Sequence, residues 1–198
     1  SAYGETNKEK NYFYNKLKQV IDIKEDGSYQ LNMDYFSFHY TDKMSSCKLN
    51  QLLGIPPRKP ESEMTKEYQD LAAAVQLITE EVITKILCYV HKETKMEKIV
   101  LAGGVALNSV YNGKILKSTP FKEIWIQPNP SDGGTSIGVS SYIFHSILNN
   151  PRVKNAMSPY LGPEYNDSEI KEFLDQNNII YTVFKNEKEL IEKTAELI

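Results

Sequence analysis

Leu71, Val75, Ile78, Val82, Ile86 and Tyr89 recur at steps of four, three, four, four and three, the spacing that lines one face of an α-helix. The pattern predicts an amphipathic helix of six to seven turns that begins at Ser62 or Thr65. Glu61, Glu63 and Glu67 lie near its positive end and His91 near its negative end, where each charge is favoured. Two short apolar runs follow, 98–102 and 123–127, and both read as buried strands. Each runs into a glycine pair, Gly103-Gly104 and Gly133-Gly134, and helical spacing then resumes. After the second pair it extends over 137–148, where Ser140 and Ser141 would give a close-packed face, and Asn149-Asn150-Pro151 ends it. Strand, Gly-Gly, helix, twice over, is the unit around which the chain is organised.

The flanks read more simply. Runs 17–23 and 29–33 alternate as strands around Glu25-Asp26-Gly27-Ser28, a hairpin signal. Tyr35, Phe36, Phe38, His39 and Tyr40 form an aromatic cluster, which reads as a small apolar patch over a loop or as a stacking surface for a base or sugar. Residues 46–53 predict a short helix closed by Gly54, and Ile55-Pro56-Pro57-Arg58-Lys59-Pro60 a stiff extended connection. Proline-rich, aperiodic residues 151–166 read as a linker. Helix 167–176, strand 179–184 and helix 188–198 would open a further α/β unit. Because the chain begins at Ser1 and its last helical pattern runs to Ile198, it is expected to be a piece of a longer protein.

Composition narrows the partners. Apolar residues at 40% and charged residues at 25% of 198 are those of a globular protein. A net charge of −3 gives no footprint for nucleic acid or for an anionic membrane. Of the 23 basic residues only Arg58 and Arg152 are arginines, so an anion would be held chiefly by backbone N–H groups. Cys47 and Cys88 form no CxxC, which suggests neither a disulfide framework nor a zinc site and fits a reducing, cytoplasmic setting. No run approaches the roughly 20 apolar residues that span a bilayer.

The chemistry lies in the turns. Glycine allows positive φ and close approach, and the N–H groups opening a helix attract an anion. A glycine after a strand is nevertheless common in α/β proteins, and GxGxxG is absent; both readings stay open on spacing. Asp132, or Ser131 beside it, could cap the following helix; alternatively Asp132 could ligate a divalent metal if further ligands arrive from elsewhere. His39, His91 and His145 make no i, i+4 pair that would supply them. Gln69, Gln76 and Glu80 form a second stripe on the long helix, either a solvated face or, at Gln76 or Glu80, the border of a ligand pocket.

Leu101-Ala102-Gly103-Gly104-Val105-Ala106-Leu107-Asn108-Ser109-Val110-Tyr111-Asn112-Gly113, then Gln127-Pro128 and Ser131-Asp132-Gly133-Gly134-Thr135-Ser136-Ile137-Gly138, resemble the signature of the NodU/CmcH-type carbamoyltransferases. Tyr3-Gly4, Leu53-Gly54-Ile55-Pro56-Pro57-Arg58, Asp70-Leu71-Ala72-Ala73-Ala74-Val75-Gln76 and Tyr160-Leu161-Gly162-Pro163-Glu164-Tyr165 match in the same order, so the resemblance covers nearly the whole chain. It implies an α/β fold: half of an actin-like ATPase domain (the ASKHA, RNase H-like class), a mixed sheet with flanking helices, over 1–150. A linker over 151–166 and the opening of a YrdC-like domain over 167–198 would follow. In that family, ATP and carbamoyl phosphate give carbamoyl-adenylate, and the carbamoyl group passes to a hydroxyl of a small natural product or sugar at a site holding a divalent metal, Fe2+. By the matched motif, Gly103, Gly104 and Asn108 would contact the nucleotide, Gly133 and Gly134 would line its phosphate side, and Asp132 would be the metal ligand. The parent protein could be a homodimer.

The family's turn usually carries alanine where this chain has Gly134, Ser136 and Ser140, and cysteine is common where Ser109 stands; these small-for-small changes are expected to leave the backbone geometry intact. The paired metal histidines and the arginine-rich adenylating domain are expected outside the chain, which alone should be inactive. Two alternatives are a noncatalytic nucleotide-binding scaffold subunit and a relative of the tRNA threonylcarbamoyl-transfer proteins; the acidic balance disfavours the second.

Overall fold

A computed structural model of the chain describes residues 3–152, 160 and 162–198, so part of the expected linker, including Leu161, lies outside the described residues. It divides into two compact units, 1–150 and 151–198.

The first unit starts with a tether rather than a strand. Asn11 is 2% exposed; its oxygen accepts from the Phe13 and Tyr14 N–H groups and so starts α1 (Tyr12–Leu17). Its amide nitrogen donates to the carbonyls of Glu5 (2.7 Å) and Asp70 (2.9 Å), tying the N-terminal segment to the long helix. Residues 17–23 are therefore helical at the start, and the strand begins late. β1 (Ile21–Ile23) pairs antiparallel with β2 (Tyr29–Leu31), giving the expected hairpin. Of the aromatic cluster, Phe38 and Tyr40 stay exposed, and neighbouring rings of Phe38, His39 and Tyr40 meet edge to face. Ser46 caps α2 (Cys47–Leu53), and Gly54 ends it in the left-handed conformation, as expected.

α3 (Lys66–Thr94) runs for 29 residues, about eight turns, from Thr65 to a left-handed Lys95. It is longer than the periodicity indicates because it serves two cores in succession. Its first half packs Ala74, Ile78 and Val82 with Phe13, Tyr14 and Leu53 of α1 and α2. Its second half packs Leu87 with Tyr111, Ile115 and Phe121. The buried face shifts between the two, so Val75 and Tyr89, both on the expected stripe, are half exposed.

β3 (Lys98–Leu101) and β4 (Glu123–Ile126) form a parallel pair in register, Lys98 opposite Glu123 through Leu101 opposite Ile126. Between them run a 3-10 turn (Gly104–Leu107), α4 (Ser109–Asn112) and α5 (Ile115–Ser118). Ile99, Leu101 and Ile124 pack on the second core. Val100 and Trp125 on the other face remain 64% and 46% exposed. The strands are thus covered on one face, not buried on both, because within this unit the packed helices lie on that face. After β4, a 3-10 turn (Asp132–Gly134) leads into α6 (Thr135–Tyr142), which continues as a π-turn over Ile143–Ile147. None of these helical residues is buried, and the close-packed face expected at Ser140 and Ser141 is not formed: Ser140 is exposed.

One ion cluster braces α1 against α3. Glu81 accepts from Lys18 Nζ at 2.6 Å and from the Tyr14 hydroxyl, with Lys8 at 3.4 Å. Burial alone would push the Glu81 carboxyl up; the hydrogen bonds from Lys18 and Tyr14 and the charges of Lys18 and Lys8 reverse this and hold it at about 2. Tyr14 is raised to about 12, by burial first and then by its bond to Glu81 and that carboxylate's charge. A depressed carboxylate contributes stability that is present above its unfolded pKa and lost as pH falls through its folded one; a raised phenol contributes below its unfolded pKa and loses it as pH rises towards 12. Glu81→Gln is expected to cost on the order of 2 kcal/mol at pH 7 and to flatten the acid limb of stability between about pH 5 and 2, as read by denaturant unfolding across pH.

In the second unit, Asn166 and Glu169 form a reciprocal capping box at the start of α7 (Asp167–Gln176), and Asn186 caps α8 (Glu187–Leu197). The strand expected over 179–184 is not formed. A strand needs a partner for its N–H and C=O groups; among the described residues none pairs with it, and Ile180 is 99% exposed. No helix of the described residues is long and apolar enough to cross a membrane.

Candidate functional site

The parallel pairing of β3 and β4 brings the two glycine turns side by side at the carboxyl ends of their strands, the edge where open α/β sheets receive ligands. The turns are joined directly: the Gly103 N–H donates to the Pro130 carbonyl at 2.6 Å. Beyond this bond, a Cβ on Gly104 would stand 3.6 Å from Ser131 Oγ, so the two loops are in van der Waals range. Gly103, Gly104, Asp132 and Gly133 are exposed, and Asn108 and Gly134 partly buried.

The glycines have different reasons. Gly103 takes φ 96° and ψ 165°, a region essentially reserved for glycine, with open space where a Cβ would lie. Gly134 has ordinary torsions, but a Cβ there would overlap the Asn129 carbonyl oxygen and crowd the Gln127 amide. In this loop the alanine of the family pattern is therefore not a neutral exchange: the second turn closes over Asn129 more tightly than small-for-small reasoning allows.

Asp132 opens the second turn without capping it. Ser131 makes no side-chain cap bond, the capping position of the following helix falls on Gly134, which has no side chain to offer, and the Asp132 carboxylate has no hydrogen bond or ion pair among the described residues. Capping, the plainer of its two readings, is not what it does. Nor do the described residues bring three His, Cys, Asp or Glu side chains together for a metal ion. They supply one carboxylate and not a coordination set, so no chemistry through a metal follows from them.

Asn108 is built into the site. It caps α4 by accepting from the Tyr111 N–H at 3.2 Å, and it exchanges two hydrogen bonds with Gln76 of α3 at 3.1 and 3.0 Å. The polar stripe on α3 is thus no solvated face at Gln76 and Glu80: Glu80 accepts from Gln76 (2.9 Å) and from Lys114 (2.7 Å). Sequence reasoning passes over Gln127. Its Oε1 is buried at the end of β4 with no hydrogen-bond partner among the described residues; a glutamine directly after an alternating strand and ahead of a glycine turn is the available signal. An apolar cavity of about 430 Å³ lies between the hairpin, α3 and the first turn, lined by Ile78, Val82, Leu101, Ala102, Val105 and Tyr111 among others. It adjoins the turn through Ala102 and Val105, yet none of the six candidate site residues lines it. We take the exposed edge where the turns meet, not this cavity, as the candidate site, because there the paired glycines and Asp132 come together.

Residues 1–141 match the family model described as Carbamoyltransferase N-terminus. A Synechocystis sp. protein designated sll1178 is 38% identical over 188 residues, which cover 92% of this chain and 30% of the relative. Nodulation protein NolO of Bradyrhizobium diazoefficiens is 26% identical over 173 residues, 87% of this chain and 29% of its own length. Nodulation protein NolNO of Sinorhizobium fredii is 26% identical over 148 residues, 75% of this chain and 20% of its own length. The class that emerges is an α/β chain with a parallel strand pair and two apposed glycine turns. The chain belongs to the carbamoyltransferase family, and it spans less than a third of the length of these relatives.

Proposed function

We propose that the chain forms one wall of the nucleotide cleft of an O-carbamoyltransferase, within half of an actin-like domain. The full-length protein passes a carbamoyl group from carbamoyl phosphate, by way of ATP-derived carbamoyl-adenylate, to a hydroxyl of a small natural product or sugar in the cytoplasm. The observation that carries this reading is the joining of the two glycine turns through Gly103 and Pro130 at the carboxyl edge of a parallel pair, within the residues matched to the family. Gly103, Gly104 and Asn108 face the nucleotide, and Gly133 and Gly134 its phosphates. Exposed backbone N–H groups, rather than arginines, meet the negative charge. Asp132 gives one carboxylate to a site for a divalent cation whose other donors lie outside these residues. On this reading the chain alone transfers nothing, since the described residues hold no cluster of three metal-ligating side chains. Separating adenylate formation from transfer in an Asp132→Ala variant of the full-length protein tests the reading: transfer is lost and adenylate formation kept.

A further inference from the structure

Gln76, Glu80, Asn108 and Lys114 close into one hydrogen-bonded chain beside the first turn. Gln76 Nε2 donates to Asn108 Oδ1 and Asn108 Nδ2 donates back to Gln76 Oε1, at 3.1 and 3.0 Å, an amide dimer. The second N–H of Gln76 goes to Glu80 Oε1 at 2.9 Å, the same oxygen that accepts from Lys114 Nζ at 2.7 Å. Asn108 Oδ1 also accepts from the Tyr111 backbone N–H at 3.2 Å.

The donor count of this chain has one remainder. A primary amide has two N–H donors and one carbonyl oxygen. A carboxylate only accepts, so Glu80 dictates which end of Gln76 faces it. A backbone N–H only donates, so Tyr111 dictates which end of Asn108 faces α4. Those two constraints are satisfied together in one orientation of the pair. In it both N–H groups of Gln76 are used, and one N–H of Asn108 is not: it has no partner among the described residues, on a side chain that is partly buried at the edge of the first turn.

We infer that Gln76 is a positioning residue: it locks the Asn108 amide so that this remaining N–H is presented as a fixed donor to an acceptor atom of the nucleotide. The inference rests on the reading of Asn108 as a nucleotide contact. Without Gln76, the Asn108 amide keeps only its bond from Tyr111, and its donor must be oriented by the ligand itself. An amide held at one edge before the ligand arrives has already lost that freedom, and binding is tighter by the difference.

The test is calorimetric titration of the full-length protein with the non-hydrolysable ATP analogue AMPPCP and Mg2+, for the wild type, Asn108→Ala, Gln76→Ala, Gln76→Glu and the Gln76→Ala/Asn108→Ala double variant. Asn108→Ala is expected to weaken binding about tenfold and Gln76→Ala about fivefold, the size of one oriented hydrogen bond. Gln76→Glu keeps the length and packing but sets acceptors against Glu80 and Asn108 Oδ1, so it weakens binding at least as much; it also replaces Gln76→Ala in the comparison should that variant not fold. In the Asn108→Ala background the Gln76 change should cost less than about twofold, because a residue acting through Asn108 has nothing left to act on. A fivefold loss that persists in that background overturns the inference, since Gln76 would then act through the fold at large. Wild-type affinity in Gln76→Glu overturns it too. If Asn108→Ala itself binds as the wild type does, it is the nucleotide role of Asn108 that fails, and that result is distinct from the other two.

Discussion

Gly103→Ala is expected to destabilise the chain by about 2–3 kcal/mol, a fall in Tm of roughly 5–10 °C, and to weaken nucleotide binding in the full-length protein. At φ 96° and ψ 165° a Cβ is strained whatever space surrounds it, and here the space is open, so the cost comes from the backbone and not from a clash. Relieving the strain means rotating the peptide whose N–H reaches Pro130 at 2.6 Å, the bond that joins the two turns. Gly104→Ala is the matched control. Its torsions are unexceptional and its nearest new contact is an ordinary 3.6 Å to Ser131 Oγ, so its effect should stay within about 0.5 kcal/mol. Thermal unfolding of the two variants decides the matter: equal shifts would mean that the positive φ of Gly103 is not what holds the turns together.

Asp132→Ala carries the largest functional effect. The side chain is exposed, caps no helix and has no partner among the described residues, so its removal should leave thermal stability within about 0.5 kcal/mol of the wild type. A carboxylate without a structural role at the meeting point of the two glycine turns is, under the proposed function, the group whose loss should be felt in chemistry alone. Under the proposed function, carbamoyl transfer to the hydroxyl acceptor falls by about a hundredfold or more, the scale of several kcal/mol of charge stabilisation. On the same proposal, carbamoyl-adenylate formation belongs to a different domain and is unchanged. Separate assays of pyrophosphate release and of carbamoylated product measure the two steps. Transfer at the wild-type rate, or an equal fall in both steps, would contradict the assignment of Asp132.

What could be read from the sequence divides along a physical line. Features fixed by local chemistry were legible: the Asp26-Gly27 hairpin, the Ser46 and Gly54 ends of α2, the α3 periodicity and the doubled strand-glycine unit each rest on residues within a turn or two of one another. At Gly134 the miss is local, set by Asn129 and Gln127, but the misses in the fold depend on distant partners. Val75 and Tyr89 fit a single helical face but are half exposed, because α3 turns from one core to another along its length, and spacing carries no record of that change. Residues 179–184 have the side chains of a strand but no strand beside them. Leu17, the first residue of the expected strand run, is instead helical, because Asn11, which starts α1, is held by Glu5 and Asp70, a contact across 59 residues. At the candidate site, Gly103, Gly104, Asn108 and Asp132 are proposed from their motif, while Gln76 could be noted only as a possible pocket residue. Its bond to Asn108 spans 32 residues and exists because α3 crosses beside the first turn. Gln127 was not separable from any other strand-end polar residue until its buried oxygen could be seen.

The central claim is that the two glycine turns receive one nucleotide. Hydrogen–deuterium exchange of the full-length protein, with and without AMPPCP and Mg2+, tests it most directly, because the groups proposed to meet the ligand are backbone amides. Exchange should slow together over 103–108 and 131–135 when nucleotide is added, and Asn108→Ala should need about tenfold more nucleotide for the same slowing. Nucleotide that binds and protects other segments while both turns exchange as before would contradict the claim.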